Sequence, residues 1–168
     1  ADLWREAGGP EGPLQVLPAK EPVPGSGALM ADPRIRKITF TGSTEVGRIL
    51  YRQAADTIKR ISLELGGHAP LIVFEDADLD VAVSQAIACK YRNGGQTCVC
   101  TNRVYVQSGV QEEFTRRFAE ASQALRVGDP LADDTDIGPL VDAQGLAKVR
   151  SHVEDALAKG ARVVTGGS

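Results

Sequence analysis

Apolar positions along the chain fall at helical and strand spacings in alternation. Residues 2–7 read as the last turns of a helix stopped by Gly8-Gly9-Pro10, and Leu14 to Leu17 as a short strand. Pro18 to Gly27 is rich in Pro and Gly and reads as loop. A brief helix over Gly27 to Ala31 ends at Pro33. Ile35 to Phe40 alternates as a strand does. Thr41-Gly42-Ser43-Thr44 then turns the chain into a helix with Val46, Ile49, Leu50 and Ala54 on one face. Ile58 to Leu65 is the next strand, closed by Gly66-Gly67. After Pro70 the run Leu71-Ile72-Val73-Phe74 has the pattern of a strand buried on both faces.

Asp76 or Asp78 caps the following helix, which is apolar nearly all round through Val81, Val83, Ala86, Ile87 and Ala88. It runs towards Tyr91 and ends at Gly94-Gly95. Val104 to Gln107 is a strand, and Ser108 with Gln111 forms a capping box. The helix it opens carries Phe114, Phe118, Ala121 and Leu125 at core spacing. Beyond a polar loop comes a helix with Leu146, Val149, Val153 and Leu157, stopped by Gly160 at C′, and Ala161 to Thr165 is the last strand. This order favours parallel pairing and an α/β architecture.

Composition narrows the class. The 168 residues suffice for one domain with a core or for pieces of two. A net charge of -3 makes no case for a nucleic-acid or anionic-membrane partner. No apolar run approaches a membrane span and no signal peptide opens the sequence. Three cysteines at irregular spacing argue against a disulfide framework and suit a reducing, cytoplasmic setting. The sequence opens already in helical pattern, ends on Gly166-Gly167-Ser168 after a strand-like run, and has Met30 as its only Met, so it reads as an interior fragment.

Candidate chemistry concentrates in Asn93-Gly94-Gly95-Gln96-Thr97-Cys98-Val99-Cys100. Two glycines clear the approach to a thiol, Gln96 and Thr97 add small polar groups, and Cys98 offers a strong nucleophile. Cys89 sits inside an apolar run, the setting of a buried structural cysteine, whereas Cys98 lies in a Gly-rich loop just past a helix. Cys98 reads either as a catalytic group or as a small hydrophobe in a turn. Cys98 and Cys100 form C-x-C; a disulfide between them needs a bent loop, and loop packing suits Cys100 better.

Three further motifs have two readings or are excluded. Phe40-Thr41-Gly42-Ser43-Thr44-Glu45-Val46-Gly47 is a strand, a Gly turn and a helix start, which makes either an anion site or a plain tight turn. In Leu63-Glu64-Leu65-Gly66-Gly67 the carboxylate stands between two leucines, as a general base or as an edge-strand Glu facing water. Asp76-Ala77-Asp78-Leu79-Asp80 resembles a calcium-loop opening, but Val81 and Ile87 occupy the positions that need Gly and Glu. His68 and His152 have no ligand spacing, so no metal site is expected.

Taken together, Phe40-Thr41-Gly42-Ser43-Thr44, Leu63-Glu64-Leu65-Gly66-Gly67 and Gly95-Gln96-Thr97-Cys98 resemble the aldehyde dehydrogenase superfamily over essentially the whole chain. Within it, Arg92 to Cys100 and Ile137-Gly138-Pro139-Leu140 are most similar to the succinate-semialdehyde dehydrogenases. The resemblance implies parts of two domains with a Rossmann-like parallel sheet: residues 1–66 closing the cofactor domain and 67–168 opening the catalytic domain. It places Gly42, Ser43 and Gly47 at NAD or NADP, with the Gly42-Ser43 pair against the pyrophosphate and the Leu65 backbone near the nicotinamide. It makes Glu64 the general base, Cys98 the nucleophile and Arg92 the holder of a distal substrate carboxylate. Family members more often carry Asn or Lys where this chain has His68.

By the same resemblance the substrate is a small aldehyde and the parent protein a homo-oligomer, a dimer or tetramer. An upstream Asn of the oxyanion hole, an upstream Lys at the cofactor, a downstream ribose-binding Glu and a C-terminal oligomerisation strand are implied outside residues 1–168. A fragment lacking them is expected to be inactive. A cysteine acyltransferase would share the exposed Cys and the base but would have no use for the Ser43 turn, and a truncated chain that only assembles is a non-catalytic alternative.

Overall fold

The computed structural model describes residues 1–167. The chain forms two units, Ala1–Leu65 and the part from Gly66 onward. The division falls one residue before the expected boundary inside Gly66-Gly67.

In the first unit, helix α1 (Asp2–Glu6) is followed by helix α2 (Pro22–Ala31), strand β1 (Lys37–Thr41), helix α3 (Thr44–Ala55) and strand β2 (Arg60–Glu64). The strands pair in parallel, from Lys37 opposite Arg60 to Thr41 opposite Glu64. Ile38, Phe40 and Ile61 share one face because strand side chains alternate, and they pack on a core of Met30, Leu50 and Ala54. Burying a side chain such as Leu50 stabilises by about 1.5–3 kcal/mol, and Leu50→Ala would cost about 2–5 kcal/mol once the cavity is included. Lys59 is buried, and its ammonium donates to the carbonyls of Asp32 and Ile35 at 2.6 and 2.9 Å, tying down the entry to β1.

Three expectations for this unit need correction. Leu14 to Leu17 forms no strand; Leu14, Val16 and Leu17 are exposed, with no neighbouring strand to pair their backbone groups. Helix α2 starts at Pro22 rather than Gly27. A proline at the first helical position lacks only an N–H that would be unpaired anyway, and Ser26 Oγ donates to the Pro22 carbonyl at 2.8 Å. Strand β2 begins at Arg60 rather than Ile58, because Ile58 takes a left-handed φ of 52° and turns the chain out of strand geometry.

The second unit holds strand β3 (Ala69–Val73), helix α4 (Leu79–Tyr91), a 3-10 turn (Arg92–Gly95), strand β4 (Thr101–Val106), helix α5 (Gln111–Gln123) and helix α6 (Ala143–Ala158). Strands β3 and β4 pair in parallel with a register shift between Ala69 and Pro70. Val73, Val83, Ala86 and Phe114 form the core, with Leu71, Ile87, Val106 and Phe118 packed around it. Asp78 is the α4 cap, its carboxylate accepting from the N–H groups of Asp80 and Val81. At the far end of the unit Gly160 follows α6 with φ 89°, the left-handed C′ conformation.

Here too the structure departs from the pattern. The Leu71 to Phe74 run is buried on one face only: Val73 points inward while Ile72 and Phe74 are 60% and 62% exposed. Residues 108–110 form a turn, so α5 starts beyond it with Val110 as N-cap, and the Ser108 capping box is not made. Ala161 to Thr165 is irregular; without a strand beside it the segment is held by Gln123 Nε2, which donates to Thr165 Oγ1 at 2.8 Å.

Candidate active site

The Gly turn between β1 and α3 is built as a helix start. Ser43 has an extended backbone, and its Oγ accepts the Val46 N–H at 3.2 Å. Gly42 donates its N–H to the Glu64 carbonyl at 3.0 Å, so this donor is already used. A Cβ on Gly42 would collide with the Phe40 ring, which explains the glycine. The remaining first-turn N–H groups lie at the positive end of a 12-residue helix, a donor set that fits a phosphate group. Gly47 is buried within α3 and faces Leu65: a Cβ on it would come within 2.6 Å of Leu65 Cδ2.

Glu64 is the last residue of β2 and is exposed, while Leu63 and Leu65 are half-buried. The apolar setting expected for its carboxylate is therefore absent in this unit. Neighbours at i±1 along an extended chain point to the opposite side, so the two leucines do not enclose it.

The cysteine loop starts where α4 stops. Arg92 leaves helical geometry with ψ 124°, and Asn93, Gly94 and Gly95 follow with φ of 53°, 62° and 77°. Three left-handed residues in succession reverse the chain sharply, and Asn and Gly are the types that tolerate this conformation. Gln96 closes the reversal: its Nε2 donates to the Asn93 carbonyl at 3.0 Å, and its Oε1 accepts the Val141 N–H at 2.9 Å.

Two residues on, Cys98 is exposed. Cys100 is fully buried, and its thiol donates to the Lys90 carbonyl at 2.9 Å. The loop is bent between them, with the Cys100 N–H on the Thr97 carbonyl at 3.3 Å. Cys89 is half-buried and accepts a hydrogen bond from Thr101 Oγ1 at 3.0 Å. The Thr101 hydrogen bonds pull the Cys89 thiol below its ordinary pKa against the opposing effect of burial, and the charges of Arg92 and Lys90 add to the pull. Cys89 is thus less isolated than its apolar run suggests. Arg92 itself is exposed and makes no ion pair among the described residues.

Just past the loop, Asn102 at the start of β4 accepts from Lys90 Nζ of α4 at 2.8 Å and donates to the Gly67 carbonyl at 3.4 Å. Gly42, Ser43, Gly47, Glu64 and Leu65 belong to the first unit, and Arg92 and Cys98 to the second. Sequence reasoning passed over the links made by Gln96 and Asn102. The position of Gln96 beside Cys98 was visible; its partner 45 residues away was not.

The chain belongs to the aldehyde dehydrogenase family, whose pattern covers residues 1–168. It is 52% identical over 99% of its length to an NADP(+) succinate-semialdehyde dehydrogenase of Escherichia coli, of which it covers 34%. It is 51% identical, with the same coverage, to a glutarate-semialdehyde dehydrogenase of Pseudomonas putida. The crystal structure of a succinate-semialdehyde dehydrogenase from Burkholderia pseudomallei superposes on 99% of the chain with a TM-score of 0.95 at 49% identity, the chain covering 34% of it. The chain thus spans about a third of the length of the curated relatives it matches. No described helix is long and apolar enough to cross a membrane.

Proposed function

We propose that this chain carries the nucleophile, the general base and part of the cofactor site of an NAD(P)-dependent aldehyde dehydrogenase that oxidises a semialdehyde with a distal carboxylate, succinate semialdehyde first among them. The first unit is the end of the cofactor domain and the second the start of the thiol-bearing domain. The observation that supports this best is Cys98, an exposed thiol at the tip of a loop anchored on either side by Gln96 and Cys100.

The Cys98 thiolate adds to the aldehyde carbon, and the resulting oxyanion takes hydrogen bonds from donors such as the Cys98 backbone N–H. A nicotinamide cofactor held at the Ser43 turn would supply the acceptor for the hydride lost from this carbon. The carbon is then a thioester of Cys98. Glu64 takes a proton from water as the water attacks the thioester; the acid forms and the thiolate is released. Arg92 holds the distal carboxylate through its planar fork. A longer substrate is the second reading, favoured by the similarity to the glutarate-semialdehyde enzyme of Pseudomonas putida.

The full-length protein that contains these residues tests the reading. It should produce NAD(P)H from succinate semialdehyde, Cys98→Ala should abolish turnover, and Cys100→Ala should keep most of it. Equal loss from both changes would remove the nucleophile assignment.

A further inference from the structure

We propose that Gln96 is the positioning residue for the Cys98 thiol, a role that rests on the reading of Cys98 as nucleophile. Its side chain uses both ends: Oε1 accepts the Val141 N–H at 2.9 Å, and Nε2 donates to the Asn93 carbonyl at 3.0 Å. One bond reaches across 45 residues of chain to the segment after Ile137-Gly138-Pro139-Leu140; the other holds the left-handed turn that precedes the thiol.

Glycine makes room for this amide. A Cβ on Gly94 would lie 3.2 Å from Gln96 Nε2 and 4.0 Å from the side chains of Ile137 and Leu140. Position 94 therefore combines a left-handed φ with contact to the amide and to the segment it grips. Among the described residues, the loop between these anchors is tied only by the Cys100 N–H on the Thr97 carbonyl at 3.3 Å and by the Cys89 thiol on the Val99 carbonyl at 3.5 Å, neither made by Cys98 itself. Thr97 Oγ1 is buried without a hydrogen-bond partner among the described residues, and Cys98 is exposed. Cys100, two positions past the nucleophile, is tied to Lys90, and Gln96, two positions before it, is tied to Val141. Loss of the Cys100 tie leaves a buried residue in its packing. Loss of the Gln96 tie frees the exposed half of the loop.

Positioning acts on reaction rate more than on binding, since misplacement of a reacting group by about 1 Å can cost on the order of 100-fold. The two ends of the amide can be separated by substitution. Gln96→Met keeps the length and loses both bonds. Gln96→Glu keeps an acceptor for the Val141 N–H and loses the donor to Asn93.

The test uses the full-length protein and reads four quantities: the pre-steady-state rate of acylation, cofactor Kd, the rate of Cys98 alkylation by iodoacetamide, and melting temperature. For Gln96→Met the acylation rate should fall about 100-fold, and for Gln96→Glu roughly tenfold. Cofactor Kd, alkylation rate and melting temperature should stay within about twofold or a few degrees of wild type. Alkylation needs only an exposed thiol, so it does not report alignment with an aldehyde. An acylation rate in Gln96→Met equal to wild type overturns the proposal. Losses equal in both variants that follow the melting temperature also overturn it, since Gln96 would then only support the fold. Wild-type protein that keeps its turnover with Cys98 fully alkylated overturns the nucleophile reading and this proposal with it; that outcome is visible without any Gln96 variant.

Discussion

Leu65 lies over Gly47 so closely that a Cβ at Gly47 would stand 2.6 Å from Leu65 Cδ2. Both residues are proposed to border the cofactor, so packing and binding are coupled at this contact. Gly47→Ala gains about 1 kcal/mol of helix propensity, while displacing the half-buried Leu65 side chain costs about 1–3 kcal/mol. The unfolding free energy should therefore fall by no more than about 2 kcal/mol, whereas NAD(P) affinity should fall about tenfold as Leu65 moves. Denaturant unfolding and a fluorescence titration of the full-length protein measure the two. Unchanged affinity would show that Leu65 does not line the cofactor.

Glu64 stands exposed at the end of β2, and its backbone carbonyl accepts the Gly42 N–H at 3.0 Å. If it activates the water of deacylation, Glu64→Gln should slow steady turnover at least 100-fold while leaving a first burst of NAD(P)H, because acylation does not need it. Stopped-flow absorbance reads the burst. An acyl-enzyme that never accumulates in this variant would assign Glu64 to a different step.

Arg92 makes no ion pair among the described residues, which leaves its guanidinium free for a ligand or for water. A carboxylate held by that fork contributes roughly 2–4 kcal/mol in the transition state, about 30- to 1,000-fold in kcat/KM. Arg92→Leu should lose that factor with succinate semialdehyde and change little with butyraldehyde. A parallel fall with both substrates would assign Arg92 to loop support, as the favourable charge at the end of α4.

Asp136 offers a pH test of the segment that leads to Val141. The Arg126 guanidinium, with help from the Arg126 N–H, holds the Asp136 carboxyl down at about 2. Asp136 Oδ2 accepts from Arg126 N and Nε at 2.9 and 3.0 Å. A carboxyl depressed in the folded state contributes stability that is complete above its ordinary value of 3.8 and is lost as pH falls towards 2. The pair is exposed, so its contribution to stability is small. Carboxyl carbon NMR should place the Asp136 midpoint near 2, and Arg126→Ala should return it most of the way to 3.8. A wild-type midpoint at 3.8 would mean that the pair does not form in solution.

What the sequence alone determined is local. Ser43 before Val46, Asp78 before Val81 and Gly160 after Leu157 act within one helical turn of where they stand, so their spacing reveals the ends of α3, α4 and α6. The motif around Cys98 was legible for the same reason, as a Gly-rich reversal at a helix end. Tertiary structure decided everything that needs a second piece of chain. Leu14 to Leu17 and Ala161 to Thr165 have strand-like composition, but backbone groups pair only where another strand lies alongside. Cys98 and Cys100 are the same residue type two positions apart, yet one is exposed and one fully buried, because the bend between them turns only the second inward, where its thiol meets the Lys90 carbonyl. The grip of Gln96 on Val141, 45 positions further along, depends on the path of the chain between them, which no local pattern encodes.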